Sequence, residues 1–196
     1  MTKSRIALSL GALLWLAACG GQQDQSPQSP AKGELQRFPF GGDFTLTDQR
    51  GAPFHLQYQK GKIVLLFFGY TSCPDACPTT LIRLTQTFKL LGEKRDKALV
   101  AFVTVDPERD TPKALGEYLA NFSLPAFGLS GSQEEIRQVA TRYAASFKRG
   151  EATAEGGYLM DHTDRVFLID QQGALRYLFS REDTPEQIAE VIGKLY

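Results

Sequence analysis

The sequence predicts an α/β domain carried behind an export segment, and three observations point to it. Residues 62–68 and 98–105 are continuous β-rich apolar runs, the composition of strands covered on both faces. Stretches with apolar residues at helical spacing alternate with them, which favours an α/β class with a mostly parallel sheet. Between the first such strand and the helix after it lie Cys73 and Cys77, two of only three cysteines in the chain.

The elements follow in order. Lys3 and Arg5 give a positive start, residues 6–18 are apolar apart from Ser9 and Gly11, and Ala17 and Ala18 lead into Cys19. At about 13 residues this run is shorter than the roughly 20 that a bilayer span needs. Leu16-Ala17-Ala18-Cys19-Gly20 resembles the bacterial lipoprotein cleavage motif, in which the cysteine becomes the lipidated first residue of the mature chain. Residues 1–18 are therefore expected to be a signal peptide, and residues 19–33 a lipidated anchor and flexible linker. Acyl chains contribute about 0.8 kcal/mol per buried methylene, enough when several are present to hold a protein at a membrane. The domain would then face an oxidising, extracytoplasmic compartment. Residues 20–32 have no apolar periodicity and cannot bury enough surface to order themselves.

Residues 34–196 have the size of one domain and enough Leu, Ile, Val and Phe for a substantial core. The chain has 22 basic and 22 acidic residues; losing Lys3 and Arg5 leaves 20 against 22, with nothing to attract nucleic acid. Residues 44–47 and 54–56 alternate around the turn-forming residues 48–53 and read as two short strands. After the cysteine pair, Leu81, Leu84, Phe88 and Leu91 recur at helical spacing and Gly92 marks a stop. Thr111-Pro112 caps a helix reaching about Asn121. Ser132-Gln133-Glu134-Glu135 is a capping box for a helix with Ile136, Val139, Ala140 and Tyr143 inward. Residues 156–164 read as a glycine-rich loop. Residues 166–169 and 175–179 flank Gln171-Gln172-Gly173 as a hairpin, and Thr184-Pro185-Glu186-Gln187 starts a last helix carrying Ile188, Val191, Ile192 and Leu195. Strand, cysteine turn, helix, strand, helix, hairpin and closing helix is the order of a thioredoxin-like fold, here with an N-terminal β-hairpin and a middle insertion.

The cysteine spacing has chemical consequences. Pro78 lacks an amide proton and clashes with a preceding turn, so the helix is expected to begin at or just before it, placing Cys77 near the positive helix end where thiolate is stabilised. Three intervening residues separate this pair from the CxxC of ordinary thioredoxins and let the sulfurs splay around a metal, without forbidding a disulfide. A purely structural bridge over so short a loop would remove little unfolded-state entropy. The chain has two histidines. His55 falls in the N-terminal hairpin, as a surface or half-buried strand position. His162 taken alone is more often the pattern of a hydrogen-bonded loop residue than of a ligand. In a thioredoxin-like fold, however, the segment before strand 166–169 runs beside the cysteine turn, within reach of both sulfurs. Two thiolates and one imidazole form a soft, low-coordination set that suits copper, particularly Cu(I), while Cu(II) would make the set neutral. Structural zinc normally takes four protein ligands, and only His55 is left to supply a fourth. The ligands must be deprotonated, so affinity should fall on acidification.

Three blocks, Phe68-Gly69-Tyr70-Thr71-Ser72-Cys73-Pro74-Asp75-Ala76-Cys77-Pro78, Val105-Asp106-Pro107-Glu108-Arg109-Asp110-Thr111-Pro112 and Asp161-His162-Thr163, resemble the signatures of the SCO/SenC family, in the right order across nearly the whole domain. The resemblance implies a membrane-anchored copper protein of thioredoxin-like fold that helps assemble the dinuclear copper centre of cytochrome c oxidase. By position it implies copper ligands at Cys73, Cys77 and His162, with the copper-bearing oxidase subunit or another copper acceptor as partner. It places the protein on the extracytoplasmic, periplasmic side of a bacterial membrane, although the anchor here is lipid rather than the transmembrane helix of some members. Two other readings stand beside this metallochaperone: a thiol-disulfide oxidoreductase with Cys73 and Cys77 as redox-active pair, and a redox or copper sensor. Residues 106–110 are expected either to place carboxylates near the site as support or docking surface, or to serve as turn and helix-start chemistry. Asp75 and Asp161 are candidates to orient the ligands and Tyr70 to cover the metal. Met160 is the only methionine after Met1, which excludes a methionine-rich copper site.

Replacing the anchor residue, Cys19→Ser, is expected to release the protein from the membrane or block its processing in a fractionation experiment. Unchanged attachment would indicate a retained apolar segment.

Overall fold

The computed structural model describes residues 32–152 and 157–196. The expected signal peptide, Cys19 and nearly all of the linker lie outside the described residues.

The chain opens with strands β1 (Thr45–Asp48) and β2 (Pro53–His55), paired antiparallel with Leu46 opposite Phe54. Their turn closes on Asp48, whose carboxylate accepts the backbone N–H groups of Arg50 at 2.8 Å and Ala52 at 3.0 Å. Next come β3 (Ile63–Gly69), helix α1 (Ala76–Leu90), β4 (Ala98–Thr104) and α2 (Pro112–Leu119), the last capped by the Thr111 hydroxyl on the Ala114 amide. Then β5 (Ala126–Ser130) leads to α3 (Gln133–Arg142), with the expected capping box. Strands β6 (Phe147–Ala152) and β7 (Tyr158–His162) precede β8 (Val166–Ile169), β9 (Leu175–Phe179) and α4 (Pro185–Gly193).

Seven strands form one sheet in the order β2-β1-β5-β4-β3-β8-β9. This is a thioredoxin-like α/β sheet with the first hairpin added at one edge. Only β3 with β4 and β4 with β5 run parallel; β8 lies antiparallel to β3, and β1 antiparallel to β5. The expected mostly parallel sheet is therefore mixed, because both the added hairpin and the β8–β9 hairpin return antiparallel.

Every residue of β3 and β4 is buried, as their unbroken apolar sequences require. Because strand side chains alternate between faces, Phe68 meets Phe167 on one side, and Phe167 in turn meets Tyr143 at the end of α3. Phe67 and Phe102 pack together on the other side, where Phe102 meets Tyr118 of α2 and Phe67 meets His162. The centre of the sheet thus supplies the apolar floor under the cysteine turn.

Three sequence expectations need correction. Strand β5 gave no signal because its middle residue is Gly128, a poor strand former. That glycine is required, since a Cβ there would lie 2.9 Å from both Leu115 and Leu119. Residues 158–162, expected as loop, form β7, because the polar segment Phe147–Ala152 pairs with them as β6. Leu195 falls just beyond the last helix rather than within it.

A Cβ on Gly69, the last residue of β3, would lie 2.8 Å from the Phe102 ring and 3.0 Å from the Cys77 sulfur. Gly69→Ala should therefore lower stability in denaturant unfolding by about 1–3 kcal/mol, the usual cost of overpacking. Gly193→Ala, where a Cβ meets nothing within 4 Å, should leave it unchanged or slightly higher.

Candidate metal centre

Strand β3 stops at Gly69 and α1 starts at Ala76, so Cys73 lies on the connecting turn and Cys77 on the second helical residue. The turn is fixed from below by Asp110, which is 1% exposed. Its carboxylate accepts the Thr71 backbone N–H at 3.0 Å and the hydroxyls of Thr71 at 2.5 Å and Thr104 at 2.6 Å. Asp106 is also buried. Of the two readings of residues 106–110, the structure favours scaffolding for these aspartates, which face inward rather than toward a docking partner. Glu108 alone of their carboxylates is exposed, paired with Arg149 at 3.6 Å.

The helix N-terminus acts on the sulfurs differently from the expectation. Cys73, half-buried, receives the backbone N–H of Cys77 at 3.4 Å and also that of Asp75. These are among the amides that a helix start leaves without internal partners. They stabilise negative charge on Cys73 rather than on Cys77. A hydrogen bond from Cys77 holds the Cys73 thiol far below the usual range despite burial, with His162 assisting. Cys77, fully buried, is pushed up by that same hydrogen bond and by desolvation. The low-pKa thiolate is therefore Cys73, while Cys77 retains the proton.

His162 ends β7. Its Nδ1–H donates to the Thr163 carbonyl at 3.0 Å, which leaves Nε2 facing the sulfurs, 3.6 Å from Cys77 Sγ. Burial alone would lower its basicity, but the hydrogen bond and charge of Cys73 outweigh this and raise it. The rings of Phe67 and Tyr70 stand edge-on to the imidazole at 6.2 and 5.8 Å.

The ligand atoms of Cys73, Cys77 and His162 lie within 4.8 Å of one another, and this is the only such cluster among the described residues. Both cysteines are free thiols. His55 is elsewhere, bonded to the Thr45 hydroxyl at 2.9 Å and packed on Tyr58, so it gives no fourth ligand. Three donors with two sulfurs favour Cu(I) over structural zinc. The Thr163 carbonyl supplies the outer hydrogen bond that metal-binding histidines need to fix ring orientation.

Supporting candidates sort differently. Tyr70 is buried against His162. Asp75 contributes its backbone amide to Cys73, while its exposed carboxylate accepts the Thr79 hydroxyl at 3.4 Å. Asp161 points outward to Lys148 at 3.4 Å and does not orient the ligands. Met160 is core. The hydrogen bonds from Thr71 to Asp110 were missed in sequence, since 39 residues separate the partners and neither has a pattern of its own.

The SCO1/SenC family model matches residues 32–196. The SCO2-like protein RC0895 of Rickettsia conorii is 33% identical over 192 residues, covering 95% of this chain and 91% of that one. The copper-bound structure of Bradyrhizobium japonicum ScoI superposes with a TM-score of 0.73 at 41% identity, over 80% of this chain and 99% of its own. Apo Sco1 of Thermus thermophilus gives 0.75 at 34% identity, over 87% and 100%.

With reduced protein, iodoacetamide at neutral pH should modify Cys73 and spare Cys77, at a rate nearly flat between about pH 6 and 8, because Cys73 is already thiolate. Preferential labelling of Cys77, read by peptide mass spectrometry, would reverse the assignment.

Proposed function

The chain belongs to the SCO1/SenC family, and we propose that it is a membrane-anchored metallochaperone that carries copper on Cys73, Cys77 and His162 to the dinuclear copper centre of cytochrome c oxidase. The observation that carries this reading is the convergence of two free sulfurs and one oriented imidazole within 4.8 Å. Similarity to a copper-bound ScoI supports the choice of metal.

Copper is cargo here, and the donor set is suited to transfer. Cys73 is half-buried and already ionised, so it offers the first contact to an incoming ion. Cys77 then gives up its proton and His162 binds as neutral imidazole, with Nδ1–H retained on Thr163. Three protein donors leave room for an acceptor's ligand to bind before one of them departs. Lipidation at Cys19 would keep the domain at the extracytoplasmic face of the membrane. Among the described residues no helix is long and apolar enough to cross a bilayer.

The ionised Cys73 also favours a second reading. Its thiolate attacks a partner disulfide and releases one partner thiolate; Cys77, losing its proton, then attacks Cys73 of the mixed disulfide and releases the other. The partner gains two electrons and is left as one thiol, protonated from Cys77, and one thiolate, and Cys73–Cys77 becomes a disulfide. A redox sensor would use the same exchange. Both chemistries draw on the same sulfurs and can coexist.

Cu(I) competition titration of the reduced protein should show tight one-to-one binding, weakened by His162→Ala and more by Cys77→Ser. Each loss should exceed the roughly 10- to 100-fold that follows removal of a supporting residue. Three equally weak proteins would contradict the copper reading. Binding displaces protons from Cys77 and His162, whose pKa values are both raised. Affinity should therefore fall steadily on acidification, with the His162 contribution to the slope beginning above its ordinary value of about 6.5.

A further inference from the structure

Among the described residues, strands β6 and β7 form a separate two-stranded sheet that pairs with no strand of the seven-stranded one. The His162 end of β7 is tied to the main sheet by β8, whose Val166 pairs with Phe67 of β3, whereas the far end of β7 has no such ladder among the described residues and is held by side chains. Tyr158, Met160 and His162 lie on the inward face of β7, while Leu159 and Asp161 are exposed.

At the end of β7 opposite His162, Tyr158 is gripped by the loop between β4 and α2. Its hydroxyl donates to Asp106 Oδ1 at 2.8 Å, and Asp106 is 3% exposed. The Arg109 guanidinium lies over the Tyr158 ring, 3.7 Å from its centroid, and its Nη1 donates to the Tyr158 carbonyl at 3.1 Å. Arg109 Nε donates to Asp106 Oδ2, which closes the triangle. Arg149 covers the other face of the ring at 3.6 Å. The same loop holds the cysteine turn through Asp110 and Thr71.

We infer that Arg109 and Tyr158 are positioning residues: together with Asp106 they form a latch that sets where His162 stands over the two sulfurs. Among the described residues the latch touches no ligand; it acts through β7, four residues or about 13 Å along the strand, and Arg109 also lies 5.8 Å over the ring of Tyr70, which stands edge-on to His162. One loop thus holds both halves of the site, Asp110 the cysteine half and Arg109 the histidine half. Guanidinium suits the task because its planar fork can stack on a ring and donate to a carbonyl and a carboxylate at once. This inference rests on the copper reading above.

The test measures Cu(I) affinity of the full chain by competition with a chromophoric chelator for wild type, Arg109→Ala, Tyr158→Phe, His162→Ala and the Arg109→Ala/His162→Ala double variant. Amide hydrogen exchange of the metal-free proteins is followed in parallel. Arg109→Ala should bind roughly tenfold more weakly. Exchange should rise across residues 158–162 and stay unchanged in β3. Tyr158→Phe keeps the stacked ring and loses one hydrogen bond, so it should show a smaller change in the same direction and serves as the reporter if Arg109→Ala does not fold. A residue acting only through His162 loses its effect once the imidazole is gone, so the double variant should bind no more weakly than His162→Ala. Losses that multiply in the double variant would mark a general structural role and overturn the inference. Wild-type affinity in Arg109→Ala and Tyr158→Phe beside weak binding by His162→Ala would overturn this inference alone. Wild-type affinity in His162→Ala would overturn the copper reading and this inference with it.

Discussion

Donor atoms from segments 85 residues apart in sequence must meet at one point, and the rest of the molecule is arranged around that requirement. The sulfurs ride on the strand-to-helix turn at the centre of the main sheet. The imidazole arrives on a hairpin outside that sheet. A seven-residue buried strand, β3, gives the cysteine side a rigid base. The histidine side is tied to β3 only through β8 and is further held by Arg109, Tyr158 and the packing of His162 against Tyr70 and Phe67. The loop after β4 contacts both sides, the cysteine side through Asp110 and Thr71 and the histidine side through Asp106, Arg109 and Tyr158.

The electrostatics of the centre follow from the same geometry. Helix amides converge on the turn sulfur because it sits ahead of the helix, whereas the helical sulfur is turned beneath it into the core. One proton shared between two sulfurs then resides on the buried one, since a more deeply desolvated charge is costlier than a half-exposed charge that receives several hydrogen bonds. The resulting pair, an ionised Cys73 and a protonated Cys77, is suited to receiving a soft cation and to attacking a disulfide. The proposed metal carriage and thiol exchange would thus draw on one electrostatic arrangement.

Much of this was legible in the sequence where local signals are strong. The apolar runs of β3 and β4, the capping boxes at Ser132 and Thr184, and the proline that locates the start of α1 all agree with the structure. The candidate ligands were legible because so few cysteines and histidines are present. Strands β5 and β6 were not, because Gly128 and Gly150 interrupt their pattern and their pairing depends on distant partners. The direction of the thiol shifts was misread for Cys77, since helix position alone does not say which sulfur the free amides face. Arg109 and Tyr158 likewise acquire meaning only when β7 folds back onto the loop that contains Arg109.

The most direct measurement of the central claim is X-ray absorption at the copper edge of the Cu(I)-loaded protein, with and without the His162→Ala substitution. Two sulfur scatterers and one imidazole nitrogen are expected, with the imidazole signal lost in the variant. A spectrum without two sulfurs, or one that the substitution leaves unchanged, would contradict the assignment of Cys73, Cys77 and His162 as the copper site.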